Sequence, residues 1–419
     1  MRFGSYLSLL RENPDFTRLY AAQLISFAGD WFATVALLGL ALELTGLAGL
    51  AALVLVLQTG AFAVTSPIGG ILADRIDRRR LLIAADLARV PVALGFLLAR
   101  DGGTLWIAFA CVALLAVGAA VFEPTSSAAL PNLVDRRRLP EANVLIGSAW
   151  GTMLAVGAGL GGLVAVVLGR DTAFMVNALS FGLSAWLIWG IRRPLQEPRE
   201  GHGRPHEGIA ESVQLALRFA RGSRLVTSFL LSKTTFGVGT GVVALLAVFG
   251  TEVFDAGDAG IGLLFAARGL GALTGPFIAR ALVGTTDRGL LLGIGLSLAM
   301  VAGAYAIFPL VPSLWVAAPL VFVAHLGGGS QWTLSTLGLQ RATPDAIRGR
   351  LFSLDYGLVT LVIAVSTVVA GQLADAVAPS IAVWVMVGLI TLAGLGWLAL
   401  SRPAWEQASG SEEHDPAHD

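Results

Sequence analysis

The stretch Gly69-Gly70-Ile71-Leu72-Ala73-Asp74-Arg75-Ile76-Asp77-Arg78-Arg79-Arg80 decides how the rest of the chain is read. Six charged side chains crowd between two long apolar runs, roughly 48–73 and 81–99. A soluble domain has no use for charges placed between flanks that greasy. A membrane protein with many spans does, because a short arginine-rich loop stays in water and resists translocation. Each flank also matches the length, about 20 apolar residues, that a helix needs to cross the hydrocarbon core.

Composition points the same way. Of 419 residues, 55% are hydrophobic and 13% charged, against roughly 25% charged in an average soluble domain. Polar side chains are too few to cover a soluble surface of this size. The net charge is zero, so no global field attracts nucleic acid. A single cysteine, Cys111, excludes a disulfide framework and a multi-cysteine metal site. Arg11, Glu12, Asp15 and Arg18 interrupt the N-terminal segment, which therefore does not read as a cleavable signal. No G-x-x-x-x-G-K-[ST] loop is present for ATP, and no HExxH for zinc. No enzyme activity, cofactor or metal is expected, and energy must come from a gradient or a partner.

Counting apolar runs gives twelve spans: roughly 16–42, 48–73, 81–99, 104–127, 142–168, 172–191, 224–251, 259–283, 289–309, 313–338, 351–375 and 380–400. The fold class expected is all-α integral membrane, with twelve transmembrane helices in two pseudo-symmetric six-helix bundles, 1–191 and 224–401. The segment 192–223 between them reads as a cytoplasmic linker. Its second part places Ile209, Val213, Leu217 and Ala220 at helical spacing, near Arg218, Arg221 and Arg224. That pattern predicts an amphipathic helix on the membrane surface, either a strap coupling the halves or a simple tether. The tail 402–419 is acidic and is expected to be disordered. With the N-terminus inside, 23 of the 28 Lys and Arg residues fall on the cytoplasmic side and only Arg100 and Arg170 outside. This asymmetry predicts a multi-pass protein of the cytoplasmic (inner) membrane with both termini cytoplasmic.

The spacing Gly70-x-x-x-Asp74-Arg75-x-x-Arg78-Arg79 resembles the loop between the second and third helices of the major facilitator superfamily. That family usually has Gly where this chain has Asp77. Within the superfamily the chain resembles the macrolide-efflux and enterobactin-exporter-like branch. The resemblance rests on Asn13-Pro14-Asp15-Phe16-Thr17-Arg18-Leu19, Gly29-Asp30-Trp31, Asp86-Leu87-Ala88-Arg89, Pro124–Pro131 and Arg348-Gly349-Arg350-Leu351-Phe352-Ser353. Echoes between the halves, Pro131–Arg136 with Thr343–Arg350 and Gly162–Ala165 with Gly371–Ala374, fit the superfamily's plan of repeats. The resemblance implies alternating access about a midplane site. It also implies that Asp74 faces the start of span eleven, near Gly349–Leu351, in a gate formed with Arg75, Arg78 and Arg350. A plain solvated loop is the alternative, and Arg78–Arg80 also serve topology.

Charges inside spans are the candidate functional residues. Asp30 stands halfway along span one, where a charge costs about 2.5–3.5 kcal/mol on insertion scales. It is a candidate proton carrier and cavity residue, with a fixed ion pair as the alternative. Glu123 is a second candidate for proton coupling, although its place near the end of span four favours a structural role. Lys233, Arg268 and His325 are expected with Asp30 in a substrate cavity. Two cations there suit an anionic or zwitterionic substrate, whereas internal pairing, such as Lys233 with Asp30, leaves them no substrate contact. Asp86 and Arg89 read as a structural ion pair, three apart on one helix face. Asp355 and Asp375 read as interfacial. Gly157-Ala158-Gly159-Leu160-Gly161-Gly162 satisfies G-x-G-x-x-G but lies inside an apolar span, so it reads as a groove for close helix packing.

Together these features predict a proton-coupled exporter of a hydrophobic or amphipathic small molecule, drug or siderophore-like. The expected partners are that substrate, protons and the lipid bilayer, with no nucleic acid, and a monomer suffices. A lipid or lysophospholipid flippase and a non-transporting receptor or scaffold are the alternatives.

Overall fold

The computed structural model describes residues 3–196, 209–284 and 286–412. Within that range the side chains of Asp74, Arg136, Pro140, Asp345, Ala346 and Gly349 are outside the description, as are those at both ends and at 209–213. The first part of the expected linker, 197–208, and the end of the tail, 413–419, also lie outside the described residues.

Helices account for the described chain, and their ends follow from local chemistry. After the short α1 (Phe3–Glu12), Asn13 caps α2 (Pro14–Thr45): its side chain accepts from the Phe16 N–H at 3.0 Å. Pro14 occupies the first turn, where a missing N–H costs nothing. Gly46, with φ +63°, closes α2 in the left-handed conformation. Helices α3 (Ala48–Arg75) and α4 (Arg78–Leu94) flank the charged loop. Asp77 has φ −56°, so the turn demands no glycine, and its carboxylate accepts the Arg80 N–H at 2.9 Å as the cap of α4. The departure from the superfamily's glycine thus strengthens a helix start without straining the turn.

The chain continues through α5 (Leu105–Leu133), α6 (Leu139–Leu168), α7 (Arg170–Trp189) and the surface helix α8 (Ile209–Gly222). Span four, expected to end near 127, runs on to Leu133 through Pro124 and Pro131. Span seven, expected as one helix, is broken into α9 (Arg224–Gly239), α10 (Val242–Val248) and a π turn over Phe249–Val253. Two glycines flank the break at Thr240, and Ser366 of a later helix fills it. The Ser366 hydroxyl donates to the Val238 carbonyl at 2.6 Å and accepts the Gly241 N–H at 2.9 Å, so the freed backbone groups stay satisfied. Then follow α11 (Gly257–Val283), α12 (Asp287–Ile307), α13 (Leu314–Ala342), α14 (Asp345–Ala376) and α15 (Pro379–Glu412). Among the described residues, eleven helical stretches are long and apolar enough to cross a bilayer. Helix α13 has 29 residues, about 44 Å, and completes twelve; His325, Gly327–Gly329, Ser330 and Gln331 make it less apolar than the others.

The described residues fall into two compact units: Met1–Gly201 with Leu246–Gly269, and His202–Leu245 with Leu270–Asp419. In the first, α2 packs on α6 and α7, α3 on α5, and α4 on α5 and α7. One part of its core gathers Phe16, Leu19, Leu82, Phe122, Leu130 and Ile188. In the second, α9 packs on α13, α14 and α15, while α12 packs on α13 and α15. Helix α8 lies against α14 with Ala216 and Ala220 buried and Arg218 and Arg221 exposed.

Candidate functional site

The first unit carries a charged cluster among α2, α4, α5 and α7. Asp86 and Arg89 of α4 are both buried and form an ion pair. The Ser184 hydroxyl of α7 donates to the other oxygen of Asp86 at 2.6 Å. The Arg89 guanidinium lies 4.2 Å from the ring centre of Phe181 and 5.1 Å from that of Phe122, within cation–π range. Gly118 makes room for its stem, since a Cβ there would stand 2.7 Å from Arg89 Cγ. Arg89 is therefore fixed by an acid, two rings and a cleared helix face.

Asp30 of α2 and Glu123 of α5 are the remaining acids of the cluster, both half-buried. The charge of Asp30 acts on Glu123, that of Asp86 on Asp30, and Arg89 acts on both. Among the described residues neither carboxylate has a hydrogen bond or an ion pair. Glu123 lies inside α5, well before its end, so its expected interfacial position is corrected: Pro124 does not stop the helix. Sequence reasoning missed the cluster's supports, Ser184, Phe122, Phe181, Gly118 and the fully buried Asn177. A Cβ on Gly29 would stand 2.9 Å from Asn177 Oδ1, and neither amide atom of Asn177 has a hydrogen-bond partner among the described residues. No sequence signal marks these residues, because their role comes from helix rotation.

Arg268, also of the first unit, lies 5.8 Å from the Trp150 ring centre and 5.6 Å from that of Phe265. Trp31 contacts both rings, at 6.2 Å and 5.8 Å. The glycine motif of α6 serves two neighbours. A Cβ at Gly161 would meet Phe32 Cα at 2.8 Å, and one at Gly162 would meet the Asp258 carbonyl oxygen at 2.6 Å. Close packing on α2 and on the start of α11 is what these glycines permit. Beside them Arg170 makes a two-pronged contact with Asp258, at 2.7 and 3.2 Å, and a further one with Glu43.

In the second unit Lys233 and Asp355 are fully buried and paired with each other. Two readings change. The cation's partner is Asp355 rather than Asp30, and Asp355 is an interior residue rather than an interfacial one. Burial forces this pairing, because neither charge is stable alone away from water. The ring centres of Trp332, Tyr356 and Phe352 lie 5.0, 5.7 and 5.9 Å from the Lys233 ammonium. His325 is buried in α13, with Nε2 2.8 Å from the Tyr305 hydroxyl of α12.

Of the gate residues, Asp74 and Gly349 lie outside the described side chains. Arg75 is exposed and Arg350 half-buried. Arg78 donates to the Ala128 carbonyl at 2.7 Å and to that of Leu195 at 3.2 Å, tying the charged loop to α5 and to the strand of chain after α7.

The enterobactin exporter EntS of Shigella boydii serotype 4 is 28% identical over 372 residues, 82% of each chain. The putative bacilysin exporter BacE of Bacillus amyloliquefaciens is 25% identical over 389 residues, 90% of this chain and 93% of its own. The match to the multidrug efflux pump Tap of Mycobacterium tuberculosis, 29% over 232 residues, spans about half of each protein (51% and 52%). A POT family transporter in complex with 5-aminolevulinic acid shares the fold, with a TM-score of 0.75 at 12% identity, over 93% of this chain and 96% of that one. So does an inward-facing, unoccupied bacterial homolog of the human lysosomal transporter Spinster, with a TM-score of 0.71 at 16% identity, over 93% and 97%. Residues 5–417 match the family described as transmembrane secretion effector, so this multi-pass membrane protein belongs to that family of major facilitator superfamily transporters.

Proposed function

We propose that this protein is a proton-coupled exporter of a hydrophobic or amphipathic small molecule. It works by alternating access in the cytoplasmic membrane, with both termini on the cytoplasmic side and the protomer as the working unit. The observation that carries the proposal is the acid cluster of the first unit. Asp86 is committed to Arg89 and Ser184, whereas Asp30 and Glu123 have no hydrogen-bonded or ion-paired partner among the described residues. Carboxyls without a fixed partner inside a membrane span are costly to keep there and are the groups suited to carrying a proton. Asp30 is the coupling residue in this reading and Glu123 its counterpart.

Several features bear on the substrate. Lys233 is matched by Asp355, which leaves less cationic character than the sequence implied. Arg268 against Trp150 and Phe265, with Trp31 beside them, favours a flat apolar body bearing an anionic group. The relatives named as exporters of enterobactin, of bacilysin and of multiple drugs support the outward direction. In this reading Asp74, Arg75, Arg78 and Arg350 are the gate residues, and Arg78 anchors the charged loop to the Ala128 and Leu195 carbonyls.

Proteoliposomes with a trapped pH dye test this. A proton gradient is imposed and macrolides, cationic dyes and catecholate siderophores are added in turn. Substrate-evoked proton flux should occur in the wild type, vanish in Asp30→Asn and weaken in Glu123→Gln. Normal uphill transport by Asp30→Asn refutes the coupling. Lipid scrambling without proton dependence redirects the reading to a flippase.

A further inference from the structure

Each half of the chain carries a cleft between the start of its first span and the end of its sixth. In the second half the cleft is about 520 Å³, lined by Gly222, Ser223 and Arg224 at the start of α9 and by Pro403 and Glu406 near the end of α15. Arg224 and Glu406 cancel there. In the first half the cleft is about 600 Å³, lined by Arg18 of α2, Arg79 of α4 and Trp189–Arg192 at the end of α7. The architecture repeats but the charge does not, because three guanidinium groups line this cleft and, among the described residues, no acid does.

Asp15, which neighbours Arg18 and Arg192, is already occupied. Asp15 binds Arg18 at 2.9 Å and accepts the backbone N–H groups of Arg192 and Arg193 at 3.0 and 3.1 Å. Among the described residues Arg79 donates only to the Arg193 carbonyl, at 3.0 Å. The Arg192 guanidinium is exposed and has no hydrogen-bond partner among the described residues. The cleft therefore holds an excess of positive charge with donors still to be used.

Its level in the membrane says which anion it meets. Helix α7 ends here, and α2 and α4 begin here. Trp186 and Trp189 on the last turn of α7 are 62% and 71% exposed, as expected of rings at the boundary between headgroups and acyl chains. Leu179 and Leu183 continue the same exposed apolar face along α7. We propose that this cleft binds the phosphodiester headgroup of an anionic phospholipid, whose acyl chains lie along that face of α7. The lipid phosphate takes the bidentate donors of Arg79 and Arg192, while Trp189 packs against its glycerol region. This goes beyond the transport reading and stands independently of it.

Native mass spectrometry of the full chain, taken from nanodiscs of equal phosphatidylglycerol and phosphatidylcholine, reads the site directly. The wild type should retain phosphatidylglycerol preferentially. Each arginine removed should lower that preference about fivefold, so Arg79→Gln with Arg192→Gln lowers it about 25-fold. Arg224→Gln, in the self-neutralised cleft, should leave it unchanged. Should the double variant fail to fold, Arg192→Gln alone alters only an exposed side chain and carries the fivefold expectation. Equal retention of the two lipids by the wild type overturns the proposal, as does an unchanged preference in the arginine variants. Added inorganic phosphate should leave the lipid in place; its displacement at millimolar phosphate identifies a site for free phosphate and overturns the lipid assignment.

Discussion

Removing one member of the Lys233–Asp355 pair should cost far more than removing both. The two side chains are 1% and 0% exposed, so neither remaining charge reaches water. Breaking a buried pair from one side costs about 3–5 kcal/mol, whereas replacing both partners by apolar residues of similar volume is often neutral. The surroundings make the two single changes unequal. After Asp355→Leu the ammonium keeps the faces of Trp332, Tyr356 and Phe352, and a desolvated cation–π contact contributes about 2 kcal/mol. After Lys233→Met the carboxylate keeps nothing comparable, and its Oδ1 has no hydrogen-bond partner among the described residues even in the native pair. Lys233→Met should therefore lie near the upper end of the range and Asp355→Leu near the lower. The double variant should fall within about 1–2 kcal/mol of wild type, a coupling well above the 0.3–0.5 kcal/mol tolerance of additivity. Reversible unfolding in mixed micelles, followed by tryptophan fluorescence, supplies the double-mutant cycle. Additive single effects, or a Lys233→Met variant as stable as wild type, refute the reasoning.

Three further perturbations follow from the packing. Gly161→Ala and Gly162→Ala each drive a Cβ into neighbouring backbone, and should lower the thermal midpoint by an overpacking cost of about 1–3 kcal/mol. Gly182→Ala, with open space at its Cβ, should leave the same melting curve unmoved or slightly raised. Ser366→Ala strands the Gly241 N–H and the Val238 carbonyl at the break in span seven. Each unsatisfied buried group costs about 1–3 kcal/mol, and faster hydrogen exchange at Gly241 would locate the damage. Arg170→Gln should destabilise more than Glu43→Gln by scanning fluorimetry. It abandons the buried Asp258, whereas Glu43 is 65% exposed and an exposed pair contributes about 0–1 kcal/mol.

Part of this protein depends only on order along one dimension and is readable before any helix meets another. A span is a run of apolar residues of sufficient length, and a loop is a cluster of charge between runs. Both are local, so the twelve helices, the membrane class and the superfamily were legible from Gly69–Arg80 outward. Asp86 with Arg89 was legible for the same reason, since three residues on a helix are neighbours whatever surrounds them. The tertiary structure alone decided which way each helix turns and what each face meets. It gave Lys233 a partner 122 residues away, buried Asp355 in the interior, and carried α5 past Glu123 to Leu133. It set neighbouring glycines of one motif, Gly161 and Gly162, against different helices, and it closed the break in span seven with a serine from α14. In a bilayer almost every helix is apolar over much of its surface, so hydrophobic periodicity says little about rotation. The buried polar groups, which have no water to turn to, select the rotation by finding one another.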